Sequence, residues 1–172
     1  SRFRGILNGV DYHQWDPRHD PPLVQNYDPD SLELKASNKL ALQHLFDLPE
    51  DEHALVLGHI GRLVEQKGVD LILALLPRLL ARGDVQIVVQ GEGERALEQQ
   101  LLEQAARHPA HFSVRIGYDE GFAHRLVAGG DAILVGRLPG RGAAVGRFPC
   151  LCVRFGSGAR HDARFVGLPR LG

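Results

Sequence analysis

The sequence predicts an α/β protein built on a Rossmann-like parallel sheet. Between residues 54 and 135, short apolar runs alternate with longer amphipathic segments, and glycine stands at each strand-to-helix junction. Short runs rich in Val, Leu and Ile are typical of buried strands, while the longer segments repeat their apolar residues at helical spacing. Strands that alternate with helices pair in parallel through right-handed crossovers, which gives a doubly wound sheet.

The elements follow in order along the chain. Residues 12–30, rich in Pro, Asp and His, predict an irregular surface loop. Asp28 and Pro29 then favour a helix start, with an N-cap followed by proline at the first helical position. Helices are predicted at 32–48, 69–82, 95–108 and 121–128, and strands at 54–60, 85–90, 112–116 and 131–135. Pro77 should kink the second helix or end it early.

Composition excludes several classes of protein. The chain has 172 residues, is 44% hydrophobic and 24% charged, and carries a formal net charge of -1. That balance gives no indication of nucleic-acid binding, and no apolar run approaches the roughly 20 residues that span a bilayer. Cys150 and Cys152 are too close in sequence for an ordinary disulfide, which favours a reducing, cytoplasmic setting. Because the chain begins at Ser1 without Met, we expect a piece of a longer protein.

The last part of the chain, residues 136–172, differs from the rest. It contains seven arginines and a single acidic residue, Asp162, with neither lysine nor glutamate. Glycine and proline are dense, so we predict no regular structure there. The segment is either a basic arm for an anionic partner or a tail foreign to the fold, and we favour the second. The predicted organisation is therefore a linker and loop region at 1–30, an α/β domain at 31–135 and this tail.

The most informative stretch is the octet at residues 61–68, Gly-Arg-Leu-Val-Glu-Gln-Lys-Gly, between the first sheet strand and its helix. In an open α/β sheet, ligands bind at such turns. Backbone N–H groups at a helix start favour anions, Arg62 adds a planar fork and Lys67 a point charge. These features predict a site for a diphosphate, although two cations in a surface turn are also compatible with simple solvation. The octet lacks the Gly-Lys-Ser/Thr ending of a P-loop.

A second turn, at residues 91–96, fits the pattern G-x-G-x-x-A of dinucleotide-binding proteins. An NAD-binding module using Gly91, Gly93 and Asp119 is therefore an alternative. The spacing to Asp119 is longer than expected, however, and Glu92 and Glu94 bring negative charge to the place of a pyrophosphate. The plain interpretation is a tight glycine turn.

Other candidate residues are single. Tyr118 follows the strand at 112–116, on the same sheet edge as the octet, where its ring could stack on a base or sugar or simply pack on its neighbours. His124 and Arg125 have no partner nearby in sequence. Neither a metal-ligand set nor a nucleophile–base constellation stands out.

Several stretches together resemble one family, the bacterial glycogen synthases and plant starch synthases. They are the linker at 5–11 with Trp15 and Pro17, the helix at 35–43, the octet with Val69 and Asp70, the turn at 91–93, the segment 116–125 and the strand at 131–135. The resemblance implies the nucleotide-sugar-binding half of a two-domain GT-B glycosyltransferase. Such an enzyme transfers glucose from ADP-glucose to the non-reducing end of an α-1,4-glucan, with retention and without a metal. A cytoplasmic location is implied, or a plastid in a plant.

The resemblance also implies roles for individual residues. Arg62 and Lys67 would neutralise the donor diphosphate and its leaving group, and Tyr118 would stack near the adenine. The residues implied to line the nucleotide are Gly61, Gln66, Gly91, Gly117 and Tyr118. A sucrose-synthase-like enzyme that uses another nucleotide sugar is a further alternative, because these residues do not separate ADP from UDP.

Two departures from the family pattern stand out. The N-terminal domain, with its lysine-glycine-glycine motif, is absent from this sequence. In place of the glutamate-bearing P-S-R-F-E-P-C-G motif, residues 136–140 read Gly-Arg-Leu-Pro-Gly. We therefore expect little catalysis from this chain by itself. We hypothesise that the tail is translated from a shifted reading frame, and a nucleotide sequence in which neither other frame restores the motif would refute this.

Overall fold

The computed structural model describes residues 11, 13–136, 150–154 and 165–166. The helices are α1 (Lys35–Leu45), α2 (Val69–Leu80), α3 (Arg95–Arg107) and α4 (Glu120–Gly129). The strands are β1 (Leu55–Ile60), β2 (Val85–Gly91), β3 (Phe112–Ile116), β4 (Ala132–Gly136), β5 (Cys150–Arg154) and β6 (Phe165–Val166). Short 3-10 turns at Leu32–Leu34 and Glu65–Lys67 lead into α1 and α2. Each helix and strand predicted between residues 32 and 136 is present, with its ends within three residues of the prediction.

The sheet has the strand order β3-β2-β1-β4-β5-β6. The first four of these strands pair in parallel, as predicted. The chain moves outward from β1 through β2 to β3 and then returns to place β4 on the other side of β1. The order therefore reverses at β1 and β4, which makes the carboxyl ends of these two strands the topological switch point of the sheet.

Helices cover both faces of the sheet. Ile72 and Leu76 of α2 and Leu101 of α3 pack with one set of strand side chains. Leu42 and Phe46 of α1 and Leu126 of α4 pack with the opposite set. Because successive side chains of a strand point to opposite faces, both sets must be apolar, and all seven residues of β2 are buried.

Two local predictions need correction. Asp28 does not cap a helix: its Oδ1 accepts hydrogen bonds from the backbone of Asp30 at 2.9 Å and the hydroxyl of Ser31 at 2.7 Å. This local turn satisfies the side chain, so the 3-10 turn begins only at Leu32. Pro77 does not end α2, which continues through it to Leu80, two residues before the predicted end.

The tail contains two short strands where we predicted no regular structure. β5 pairs antiparallel with β4, and β6 pairs antiparallel with β5. The edge of β4 offers unpaired backbone groups, and the run Cys-Leu-Cys-Val-Arg has the β-branched and apolar character that suits pairing there. The remaining residues of the tail, and residues 5–10 of the predicted linker, lie outside the described residues.

The loop before α1 has no helix or strand among its described residues, as predicted, and it is fastened to α4. His124 and Asp20, both buried, meet at 2.7 Å between Nδ1 and Oδ2. The ring of Trp15 stacks on that of His124, with centroids 3.8 Å apart. Arg125 donates from Nε to the carbonyl of Pro22 at 2.9 Å. His124 and Arg125, which lacked partners in the sequence, therefore anchor the loop.

Candidate functional site

The octet leaves the sheet at the switch point. It follows β1 directly, passes through the Glu65–Lys67 turn and enters α2 at Gly68, whose φ is 72°. Arg62, Gln66 and Lys67 are all exposed. No side chain caps the amino end of α2, so its first N–H groups add to the positive potential of the two cations.

The edge of the sheet next to the octet is lined by glycine. β1, β2 and β3 end beside Gly61, Gly91 and Gly117, and backbone hydrogen bonds hold these ends together. Gly61 donates to the carbonyl of Gln90 at 3.1 Å, and Gly117 donates to the carbonyl of Gly91 at 2.8 Å. Gly61 and Gly117 have φ values of 146° and 108°, which favour glycine. These glycines lie along the carboxyl edge of the sheet, between Arg62 after β1 and Tyr118 after β3.

Gly91 has a second role, which is to let the octet approach the next turn. A methyl group at Gly91 would overlap the carbonyl oxygen of Gly61, and one at Gly93 would overlap that of Leu63. Leu63 also donates to the carbonyl of Glu92 and accepts from the backbone of Glu94, each at 2.9 Å. The glycine turn therefore holds the octet in place by close backbone contact.

The geometry does not support the NAD-binding alternative. The N–H of Gly93 donates to Oε1 of Glu98 at 2.7 Å, and that of Glu94 donates to Leu63, so neither is free for a pyrophosphate. Asp119 accepts from the backbone of Phe122 at 2.9 Å and so caps α4. Its carboxylate thus has the structural role of an N-cap.

Tyr118 lies at the β3 end of this carboxyl edge. Its side chain is 64% exposed and borders a cavity of about 340 Å³ that Gln90, Arg115, Gly117 and Phe122 also line. Tyr118 and the octet share the carboxyl edge of the sheet, as predicted, and β2 lies between β3 and β1. An exposed aromatic ring beside a cavity of this size can stack on a planar base.

His59 lies beneath the octet, at the end of β1. It is 3% exposed, its Nδ1 is 2.9 Å from the carbonyl oxygen of Leu134, and its Nε2 is buried without a partner among the described residues. A carbonyl can only accept, so Nδ1 carries the proton of the neutral ring. Burial lowers the pKa of His59, the bond to Leu134 opposes this change, and the charge of Lys67 adds to it.

The pKa of His59 predicts acid sensitivity. The pKa of His59 in the folded chain lies below the usual 6.5. Below pH 6.5 the unfolded chain therefore binds more protons than the folded chain, and the free energy of unfolding falls as the pH is lowered. Between pH 7 and 5, we expect His59→Leu to remove up to about 1 kcal/mol per pH unit from the slope of the unfolding free energy. Urea unfolding at several pH values measures it. The exposed-site control His53→Gln should keep the wild-type slope, and an unchanged slope in His59→Leu would contradict the assignment.

The described part of the chain contains neither a metal-ligand cluster nor a membrane-spanning helix. Among those residues, no three His, Cys, Asp or Glu side chains cluster in a way that could hold a metal ion. No helix within that part is long and apolar enough to cross a bilayer.

Comparison with known proteins assigns the family. The chain is 49% identical over 157 residues to glycogen synthase 2 of Nitrosococcus oceani, and 50% identical over 135 residues to a glycogen synthase of Marinomonas sp.. This chain belongs to the glycogen synthase family. It spans 31% and 28% of the lengths of these two relatives, which in turn match 91% and 78% of it. No protein-family model matches the chain.

A solved structure of a related protein agrees with this assignment to the glycogen synthase family. The chain is similar to the catalytic domain of starch synthase IV from Arabidopsis thaliana, bound to ADP and acarbose, with a TM-score of 0.67 and 32% identity. The match covers 76% of this chain and 27% of that one. The α/β fold predicted from the sequence is therefore that of part of a GT-B catalytic domain.

The Nitrosococcus match also bears on the tail. Its 157 residues exceed the length of 1–135, so the alignment reaches beyond residue 135. The hypothesis of a shifted reading frame stays a prediction that the nucleotide sequence tests.

Sequence reasoning missed two side chains of the site, Gln90 and Arg115. Gln90 is a polar residue at the carboxyl end of a mostly apolar strand, and Arg115 interrupts the next strand. A polar residue inside a buried strand signals a specific hydrogen-bond role, but only the strand order shows that the two side chains line one cavity.

Proposed function

We propose that this chain is the donor-binding part of an ADP-glucose-dependent glucosyltransferase that extends an α-1,4-glucan with retention. The observation that carries the proposal is the placement of Arg62, Lys67 and exposed Tyr118 on the carboxyl edge of one parallel sheet, with the two cations at the switch point. A nucleoside diphosphate suits both ends, because its base can stack on Tyr118 while its phosphates meet the cations and the amino end of α2.

The chemistry follows from where charge develops. When the glucosyl bond to the diphosphate breaks, negative charge grows on the departing phosphate oxygens. Arg62 and Lys67 would stabilise that charge more strongly in the transition state than in the bound donor, which is what accelerates the step. Lys67 supplies a compact charge and Arg62 a planar fork. In this proposal Gly61 and Gly117 leave open space for the nucleotide, while Gly91 contributes by allowing the close approach of Gly61. Gln66 presents its amide beside Lys67.

The name of the Arabidopsis structure supports the choice of ligands, since that protein was bound to ADP and acarbose. For this chain we propose ADP-glucose as donor and an α-1,4-glucan as acceptor. We propose no metal cofactor, nucleic-acid partner or membrane partner. A cytoplasmic location, or a plastid in a plant, fits such an enzyme of glycogen or starch synthesis.

Calorimetric titration of the full chain with ADP tests the proposal. We expect Lys67→Ala and Arg62→Ala each to weaken ADP binding roughly 10- to 100-fold, because each removes a charged hydrogen-bond donor to phosphate. Arg78→Ala is the matched control, since Arg78 is also exposed but lies in the last turn of α2, and it should bind as the wild type does. Excess chelator should leave the affinity unchanged.

Other outcomes of this titration are equally informative. Equal weakening in all three variants would point to general charge attraction and contradict a site at the octet. Tighter binding of UDP than of ADP would favour the sucrose-synthase-like alternative. Loss of binding in chelator would refute the metal-free proposal.

A further inference from the structure

Gln90 is the penultimate residue of β2 and lines the cavity beside Tyr118. Its backbone carbonyl accepts from Gly61, and its side chain is 1% exposed. It lies beside Ile60 in the sheet register. Val88, two residues earlier, belongs to the core under α1 and α4, so Gln90 faces α4 and the cavity next to Tyr118.

One hydrogen bond fixes the orientation of the Gln90 amide. Nε2 donates to the carbonyl of Asp119 at 2.8 Å. A carbonyl can only accept, so the nitrogen must occupy this side of the amide and Oε1 the other. Oε1 is buried and has no hydrogen-bond partner among the described residues. A buried acceptor without a donor is unfavourable, and a ligand that supplies an N–H group relieves that cost.

The other polar side chains around this cavity are differently engaged. The guanidinium of Arg115 lies 5.1 Å from the ring centroid of Phe46 and 4.7 Å from that of Phe122, and it donates to the carbonyl of Leu45. Asp119 is exposed and caps α4. Among the described residues that line the cavity, the unsatisfied buried acceptor is therefore that of Gln90.

We propose that Oε1 of Gln90 is a specificity-determining acceptor that selects a nucleobase bearing an exocyclic amino group. This rests on the proposed function, because the base reaches the cavity only if the nucleotide lies along the carboxyl edge from the octet to Tyr118. A base stacked on Tyr118 turns its edge toward the cavity wall. Adenine offers the hydrogens of its amino group there, whereas hypoxanthine and uracil offer carbonyl oxygens that repel Oε1.

Three nucleotides and two variants test this role by calorimetry. The nucleotides are ADP, purine riboside 5′-diphosphate, which lacks only the amino group, and inosine 5′-diphosphate, which has an oxygen in its place. In the wild-type chain we expect purine riboside 5′-diphosphate to bind about 10-fold more weakly than ADP, and the inosine compound more weakly still. In Gln90→Leu, ADP and purine riboside 5′-diphosphate should bind within about 2-fold of each other.

The matched control is Gln86→Leu. Gln86 lies on the same strand and the same face, but its amide is satisfied by Gln43 at 2.8 Å and by the carbonyl of Pro49 at 2.8 Å. Its loss should lower stability while the preference for ADP remains. The ratio between nucleotides is the readout, because it does not change when a variant weakens both ligands equally.

Equal binding of ADP and purine riboside 5′-diphosphate by the wild type would by itself overturn the proposal. A Gln90→Leu variant that still prefers ADP as strongly as the wild type does would also overturn it. Both results leave the proposed function intact if Lys67→Ala still weakens ADP binding. Failure of the wild type to bind ADP at all would overturn the two together.

Discussion

Gly91→Ala should unfold this chain or destabilise it by about 4 kcal/mol, well above the usual cost of a single substitution. The added methyl group would overlap the carbonyl oxygen of Gly61, which is part of the octet backbone and cannot rotate away as a side chain would. The octet would have to shift, taking Arg62 and Lys67 with it. Thermal and urea unfolding of the full chain measure the loss, and calorimetry with ADP measures the effect on the site.

Gly83→Ala is the control for Gly91→Ala. Gly83 has a φ of 75°, but nothing lies within 4 Å of an added methyl group. Only backbone strain is introduced, so we expect a loss of about 1 kcal/mol and unchanged ADP binding. If the two variants lost equal stability, steric contact between the turns would not be the reason for glycine at residue 91.

Asp20→Ala should produce the second large effect, a loss of up to about 3 kcal/mol in the free energy of unfolding, because it removes a buried hydrogen-bond partner. It leaves His124 buried without its carboxylate, beneath the stacked ring of Trp15. The loop before α1 would then lose its main attachment to α4. Urea unfolding measures the loss, and limited proteolysis should show earlier cleavage within residues 13–30.

The control for Asp20→Ala is Asp84→Ala. Asp84 pairs with Arg82 at 2.8 Å, but both side chains are more than half exposed. An exposed pair contributes little, so this variant should unfold like the wild type. Equal losses in the two variants would mean that burial of the Asp20–His124 pair does not matter. Cleavage of the loop at the wild-type rate in Asp20→Ala would exclude its role as an anchor.

The order of strands and helices was readable from the sequence because periodicity records burial. The run 54–60 is mostly apolar and is buried on both faces, since helices cover both sides of β1. The positions of Arg62, Lys67 and Tyr118 after strands then placed all three on one edge of a parallel sheet. The role of Asp28 was misjudged for a local reason, because its side chain had a closer partner in Ser31.

By itself, the sequence determined the family, the α/β sheet and the cations of the octet, because these depend on local pattern and on motifs that are continuous in the chain. Only the tertiary structure decided what Gly91, Gln90 and His124 do. Gly91 is needed because the carbonyl of Gly61 passes over it. Gln90 faces the cavity because β2 lies between β1 and β3. His124 contacts Asp20, which is 104 positions away in the chain. Contacts between residues so far apart leave no periodic or local signal, since they arise only when the packed elements bring the side chains together.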